Sequence, residues 1–325
     1  MNELVRQRTS VPAMQMEQAL EAEMAVQILV PLDGSPYAEQ ALPYAVTLSR
    51  ALAAELLLLG AVSIPPDTQQ LLRKAGIRTE ALQEQLEEEA ACHLGEVAGQ
   101  LRRSGLAARH VVQSGPAAES ILGYAERMEI RQIVMAAHGY TGPNRWTHGS
   151  VAERVLQSAS VPVLLVPVPD AGSGDLRPHS NCRHILVPLD GSARAERVLP
   201  AVIPIASSLR CKVTLLQVPI VYLSGWMTGE GVLPVHGILA AAEQDALAYL
   251  NHVATYLQQQ GVDVSTATQV GAVAEAIIQY AQASEVDLIA MCTHGRTGRR
   301  RWTLGSVSDR VLRAGKFPIL LVRAT

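Results

Sequence analysis

Apolar residues fall into short unbroken runs separated by longer amphipathic stretches, and the chain goes through this rhythm twice. In the first pass the runs are Gln27–Pro31, Leu56–Val62, His110-Val111-Val112, Gln132–Ala136 and Val161–Val166. Apolar runs without alternation predict strands buried on both faces, as in a parallel sheet. Between them lie segments of helical period. One holds Ala41, Leu42, Ala45 and Leu48; a long charged one, about Glu80–Arg103, holds Leu82, Leu86, Ala90, Leu94, Val97 and Leu101; two more cover Ala117–Glu129 and Val151 to about Ser158. Ser35-Pro36 supplies an N-cap and a first-turn proline, while Pro43 predicts a kink or a displaced helix start. Pro65-Pro66 opens a stretch to about Ile77 that reads as irregular. Strand–helix alternation of this kind predicts a doubly wound sheet with right-handed crossovers.

Pro167 to Asn181 is rich in proline, glycine and serine and has no apolar period, as a linker would. Then Ile185–Ser192 repeats Ile28–Ser35 residue for residue. The offset is 157 between Asp33 and Asp190 and 156 between Gly139 and Gly295, so the halves differ by one net residue over that span. This is a duplicated domain. The expected fold class is α/β, with two tandem doubly wound domains, each a five-stranded, mostly parallel sheet with about four helices. The expected boundaries are a tail at 1–25, domains at 26–168 and 183–325, and a linker at 169–182. In the second domain, strands are expected at Lys212–Val218, Val264–Thr268, Val286–Met291 and Pro318–Val322. An insert at Pro219–Gly237 precedes helices at about Ile238–Gln260 and Val273–Ser284.

The strongest repeat is a glycine loop. From His138 to Val166 against His294 to Val322, 17 of 29 positions are identical. Each copy runs from a strand through His-Gly-x9-Gly-Ser into a helix, the setting in which backbone N–H groups at a helix start hold an anion. Ser150 and Ser306 occupy apparent N-cap positions, and Glu153 and Asp309 three residues on would complete a capping box. Such a cap leaves the upstream glycines, Gly139 and Gly295, unexplained, and a loop bounded by two glycines can wrap a polyphosphate. Arg299-Arg300-Arg301 in the second loop, against Pro143-Asn144-Arg145 in the first, predicts firmer anion binding in the second half. Trp146 and Trp302 read as packing residues, and His138 and His294 as strand-end residues within reach of a phosphate or a backbone carbonyl.

Bulk composition removes several other classes. A net charge of −3 gives no basic field for nucleic acid, and 4% aromatic residues give few stacking platforms. Four cysteines without CxxC or metal-ligand spacing suggest free thiols and no structural metal. No apolar run approaches the ~20 residues a bilayer demands, and the first 24 residues lack a signal-peptide core. A cytoplasmic chain, with no membrane and no nucleic-acid partner, is expected.

In open α/β sheets, ligands lie beyond the carboxyl ends of the strands at the switch point. Asp33 and Asp190 follow the first strand of each half, Ala61 and Val218 end the second, and the glycine loops follow the fourth. An aspartate there either accepts a ribose hydroxyl or simply forms the Asp-Gly turn.

Taken together, these residues resemble a tandem universal stress protein, over about Gln27–Val166 and His184–Arg323. The likeness rests on Ile-Leu-Val-Pro-Leu-Asp-Gly-Ser, on Gly-x9-Gly-Ser followed by Val-x-[Glu/Asp]-Arg-Val-Leu, and on the closing Val-Pro-Val-Leu-Leu-Val and Phe-Pro-Ile-Leu-Leu-Val. By position, the resemblance implies an ATP site, with Mg2+ or Mn2+ as companion ion, at Asp33, Ala61, Gly139, Gly149 and Ser150, and a second at Asp190, Val218, Gly295, Gly305 and Ser306. The family's loop begins with one more glycine, which here is Ala136 or Cys292; a positive φ at that position would suit neither. The resemblance also implies pairing of the last strands, so that Val161–Val166 meets Phe317–Val322 in an intramolecular pseudo-dimer, with a homodimer of chains as a further assembly. The function it implies is nucleotide-dependent regulation through a protein partner, without dedicated catalysis. A scaffold that binds no nucleotide and a slow ATPase are the alternatives.

Overall fold

Every expected apolar run becomes a strand; those inside the sheet have both faces covered, while the edge strands at Ala108–Ser114 and Asp263–Thr268 stay partly exposed. The computed structural model describes residues 26–137, 149–168, 182–219, 235–294 and 304–323. The first half contains β1 (Gln27–Pro31), α1 (Leu42–Leu52), β2 (Glu55–Val62), α2 (Pro66–Lys74), α3 (Thr79–Arg103), β3 (Ala108–Ser114), α4 (Ala117–Arg127), β4 (Gln132–Ala136), α5 (Ser150–Ser158) and β5 (Val163–Val166). The second contains β6 (His184–Pro188), α6 (Leu199–Leu209), β7 (Lys212–Gln217), α7 (Val235–Gln259), β8 (Asp263–Thr268), α8 (Val273–Ala283), β9 (Leu288–Cys292), α9 (Ser306–Arg313) and β10 (Ile319–Val322).

Successive side chains along a strand face opposite ways, and here both directions are apolar. Ile28, Val30, Leu56, Leu58 and Val134 enter one core; Leu29, Leu57, Leu59, Ile133 and Met135 enter the other. That explains why the sequence runs show no alternation. Helices α1, α3, α6 and α7 supply the first core, and α4, α5, α8 and α9 the second.

The two halves share one sheet of ten strands, in the order β3-β2-β1-β4-β5-β10-β9-β6-β7-β8. Neighbours within each half are parallel. At the centre β5 and β10 pair antiparallel, with Ile319 opposite Leu165, Leu320 opposite Leu164 and Leu321 opposite Val163. The expected pairing of the closing strands therefore forms within one chain, and it covers two apolar edges that would otherwise be exposed. Because the seam is antiparallel, the strands of the two halves run in opposite senses. Their carboxyl ends, and the sites built there, lie on opposite edges of the sheet.

One local expectation resolves and another changes. Of the two outcomes Pro43 predicts, the displaced helix start is the one that forms. Ala38–Ala41 forms a 3-10 turn and α1 begins at Leu42, so that proline falls in the first turn, where its missing N–H costs nothing. The stretch after Pro65 is not irregular throughout, since α2 starts with Pro66 at its first position and buries no residue. A proline start and a good helix-forming sequence, Asp67 to Lys74, suffice without an apolar stripe to signal it. In the second half, residues 220–234 of the expected insert lie outside the described residues.

Candidate nucleotide site

The site in each half begins where the first strand stops. Leu32 extends the ladder by donating to the Leu59 carbonyl at 2.9 Å, and Leu189 does the same to Leu216 at 2.8 Å. The chain then turns. Asp33 Oδ1 accepts from the Ser35 amide at 3.0 Å and from its hydroxyl at 2.6 Å, and Ser35 Oγ accepts from Ala38 N–H at 3.1 Å. Asp190, Ser192 and Ala195 repeat these bonds at 3.0, 2.6 and 3.2 Å. Gly34 and Gly191 sit between at φ 78° and 80°, a left-handed backbone open to glycine at little cost. The Asp-Gly turn thus forms in both halves and holds one carboxylate oxygen at the sheet edge. Asp33 is exposed there and Asp190 half-buried.

The second strand passes beyond this turn. Pro31 is the last β1 residue opposite β2, at Leu59, so Gly60, Ala61 and Val62 continue with β3 alone on their other side. Ala61 is part-exposed and Val218, just past β7, is nearly buried. Because β2, β1 and β4 are parallel neighbours, as are β7, β6 and β9, the strand ends from which the three loops of each half leave lie along one edge. That is the switch point of a doubly wound sheet.

The described ends of each glycine loop are clamped to the strand before it. Gly149 N–H donates to the Ala137 carbonyl at 3.0 Å, and Gly305 N–H to the Thr293 carbonyl at 2.8 Å. A β-carbon at Gly305 would lie 2.8 Å from that same carbonyl oxygen, so only glycine allows so close a return. Gly139, Gly295, His138, Trp146, Trp302 and the loop arginines lie outside the described residues. His294 is described, and its Nδ1 pairs with the Thr293 hydroxyl at 3.1 Å.

The expected capping box is absent. Gly149 and Gly305 are the N-caps, neither helix start has a side-chain cap, and Ser150 and Ser306 are the first helical residues, both exposed. The amides of Glu153 and Asp309 close the first helical bonds, to Gly149 and Gly305. An α-helix leaves its first N–H groups without helical partners, and among the described residues no side chain caps them. The sequence placed the serines one position too early because Gly-Ser before an acidic residue fits both registers.

The glycine missing from the start of the loop is harmless to the backbone. Ala136 and Cys292 are strand residues, and neither is among the described non-glycine residues with positive φ, which are Ala53, Glu129, Arg210 and Glu285. The Cys292 thiol donates to the Ala195 carbonyl at 3.6 Å, which packs the end of β9 against the turn that follows Asp190. Burial pushes this thiol up to about 11; Val198 and Arg197 draw it down, and Asp190 adds to the rise.

The sequence of this region matches the Universal stress protein family over residues 24–167 and again over 181–323. The chain belongs to that family. Universal stress protein Slr1230 of Synechocystis is 24% identical over 314 residues, covering 91% of this chain and 99% of the relative. Universal stress protein MJ0531 of Methanocaldococcus jannaschii is 32% identical over 142 residues, 43% of this chain and 82% of the relative. In three dimensions, a universal stress protein from Archaeoglobus fulgidus superposes with a TM-score of 0.63 at 20% identity, covering 92% of this chain and 96% of its own, which establishes the fold. In this tandem universal stress protein the two halves are unequal in one further respect. Ser308, buried on α9, donates from its hydroxyl to the carbonyls of Thr293 and Gly305, both at 2.9 Å. Its counterpart in the first half is Ala152, so the second loop has a firmer base. The Ala/Ser difference between the aligned copies was the available signal for it.

Proposed function

We propose that each half of this chain binds an adenine nucleotide, ATP with Mg2+ or Mn2+, and that occupancy rather than turnover is what it presents to a regulatory protein partner. The observation that carries this reading is the pair of α-helices, α5 and α9, that start at the switch-point edge with no side-chain cap among the described residues. Uncapped amides and the helix dipole favour a phosphate group there. Asp33 and Asp190, on the same edges, are suited to accept a ribose hydroxyl, and Ala61 and Val218 to line the nucleoside. Gly139 and Gly295 would complete the phosphate loops. Among the described residues no group of three or more His, Cys, Asp or Glu could hold a metal ion. The ion's chemistry, neutralising phosphate charge, would therefore be supplied largely on the nucleotide's own oxygens.

One observation favours the scaffold reading: Asp33, Asp190 and Gly305 each already have a structural task, in a turn or in close packing. Unfolding the purified protein and chromatographing what it releases separates the two. A ratio near two nucleotides per chain supports both sites. A ratio near zero, together with no rise in Tm in millimolar Mg-ATP, overturns the proposal.

A further inference from the structure

Two of the four cysteines are brought together by the fold at the start of β6, the end of that strand opposite the Asp190 turn. Cys182 precedes β6, and Cys211 lies in the turn between α6 and β7. That turn is tight because Arg210 takes a left-handed backbone, φ 53°, which lets the Cys211 amide return to the Ala206 carbonyl at 2.9 Å. Next to the pair, Lys212 N–H donates to the Arg183 carbonyl at 2.8 Å and holds the two stretches side by side. The Cys211 thiol donates to the Cys182 carbonyl at 3.0 Å, which sets the two residues against each other. Cys211 is 1% exposed, whereas Cys182 is partly open to solvent. Tyr44 of α1 packs here, with Asp287 close enough to act on all three groups, so the pair lies where the first half meets the entry of the second.

We propose that Cys182 and Cys211 form a redox pair that closes to a disulfide by exchange with a low-molecular-weight disulfide such as glutathione disulfide. A thiolate of the pair attacks one glutathione sulfur; the glutathione S–S bond breaks, a mixed disulfide forms, and one glutathione leaves and takes up a proton. The second protein sulfur, on losing its proton, attacks the protein-side sulfur of that mixed disulfide and releases the second glutathione. Two electrons pass from the cysteine pair to glutathione disulfide, giving two glutathione thiols. Cys182 is the sulfur a small disulfide reaches, and buried Cys211 is the one that resolves the adduct.

Solvent access selects Cys182 for attack, while the electrostatics favour a single thiolate in the pair and rest it on buried Cys211. The Cys182 thiol beside it holds the Cys211 thiol below its ordinary value, while the Cys211 sulfur and burial hold Cys182 far above its own. The two shifts run in opposite directions, so the pair holds one thiolate before it holds two. Closure joins a ring of 28 intervening residues that includes β6, the Asp190 turn and α6. Cross-linking a loop of that size removes unfolded-state freedom and raises stability.

The test uses the full chain carrying Cys92→Ser, which removes the exposed thiol on α3. After equilibration with glutathione disulfide at pH 8, the protein is unfolded in an alkylating agent and its intact mass and peptides are measured. The expected result is that two of the three remaining thiols escape alkylation without any added glutathione mass. Cys182 and Cys211 should then be recovered in one cross-linked peptide, dithiothreitol should restore both thiols, and Tm should be several degrees higher in the oxidised form. Three alkylated thiols, or glutathione held stably on Cys182, would overturn the proposal. Cys182→Ser, at the partly exposed position, serves as the second variant and must show neither the thiol loss nor the Tm rise. Nucleotide plays no part in any of these readouts, so the outcome stands apart from that of the ATP experiment.

Discussion

Gly305 gives the sharpest test of how the second glycine loop is built. Its φ is −59°, so alanine meets no backbone penalty there. The difficulty is one of space: an added β-carbon would stand 2.8 Å from the Thr293 carbonyl oxygen, an atom of the backbone of β9's end that cannot swing aside. Restoring an ordinary contact requires a shift of roughly 0.5 Å, which also lengthens the 2.8 Å bond from the Gly305 amide to that oxygen and disturbs the Ser308 hydroxyl on it. Overpacking of this kind costs about 1–3 kcal/mol, and weakening one buried hydrogen bond adds about 1 kcal/mol. Gly305→Ala should therefore lose about 2–4 kcal/mol in urea unfolding, and the moved helix start should weaken Mg-ATP binding to the second half by calorimetry. Gly34→Ala is the contrasting control: nothing lies within 4 Å of its β-carbon, but its φ of +78° costs roughly 1–2 kcal/mol through strain alone. An unchanged urea midpoint for Gly305→Ala, with nucleotide affinity intact, would refute the close-approach argument.

Leu320→Ala, at a fully buried seam position opposite Leu164, should cost about 3–4 kcal/mol of unfolding free energy; a loss under ~1 kcal/mol would mean that the seam is not part of a shared core. Cys292 should make stability fall at alkaline pH: the folded state keeps a proton that the unfolded chain releases near pH 9, so its contribution is complete below that pH and is lost toward about 11. That loss is about 2–3 kcal/mol between pH 8 and 11, and Cys292→Ala should lack it in urea titrations at the two pH values. Ala53 ends α1 in a left-handed conformation at φ 49° and is exposed, so Ala53→Gly should gain about 1 kcal/mol, read as a raised urea midpoint. Asp190→Ala should lower the nucleotide released per chain by about one while leaving the first site filled, and an unchanged ratio would remove that aspartate from the binding site.

The sequence by itself determined what depends on neighbours along the chain. Unbroken apolar runs named the doubly covered strands, and helical spacing in α3 set its extent to within a residue. Asp-Gly-Ser specified its own turn, and the repeat of Ile28–Ser35 at Ile185–Ser192 announced a duplication. Periodicity records which faces are apolar but not which strand lies beside which. Without the family resemblance, residues 161–166 and 317–322 were two equally apolar edges. Tertiary structure decided their antiparallel register, the continuous ten-stranded sheet that follows, and the placing of the two candidate sites on opposite edges. It also decided which residue caps α5 and α9, because the choice between glycine and serine turns on how closely the loop returns to Ala137 and Thr293. The meeting of Cys182 with Cys211 had no sequence signal at all: 28 residues separate them, and only the left-handed turn at Arg210 and the ladder from β6 to β7 bring them side by side.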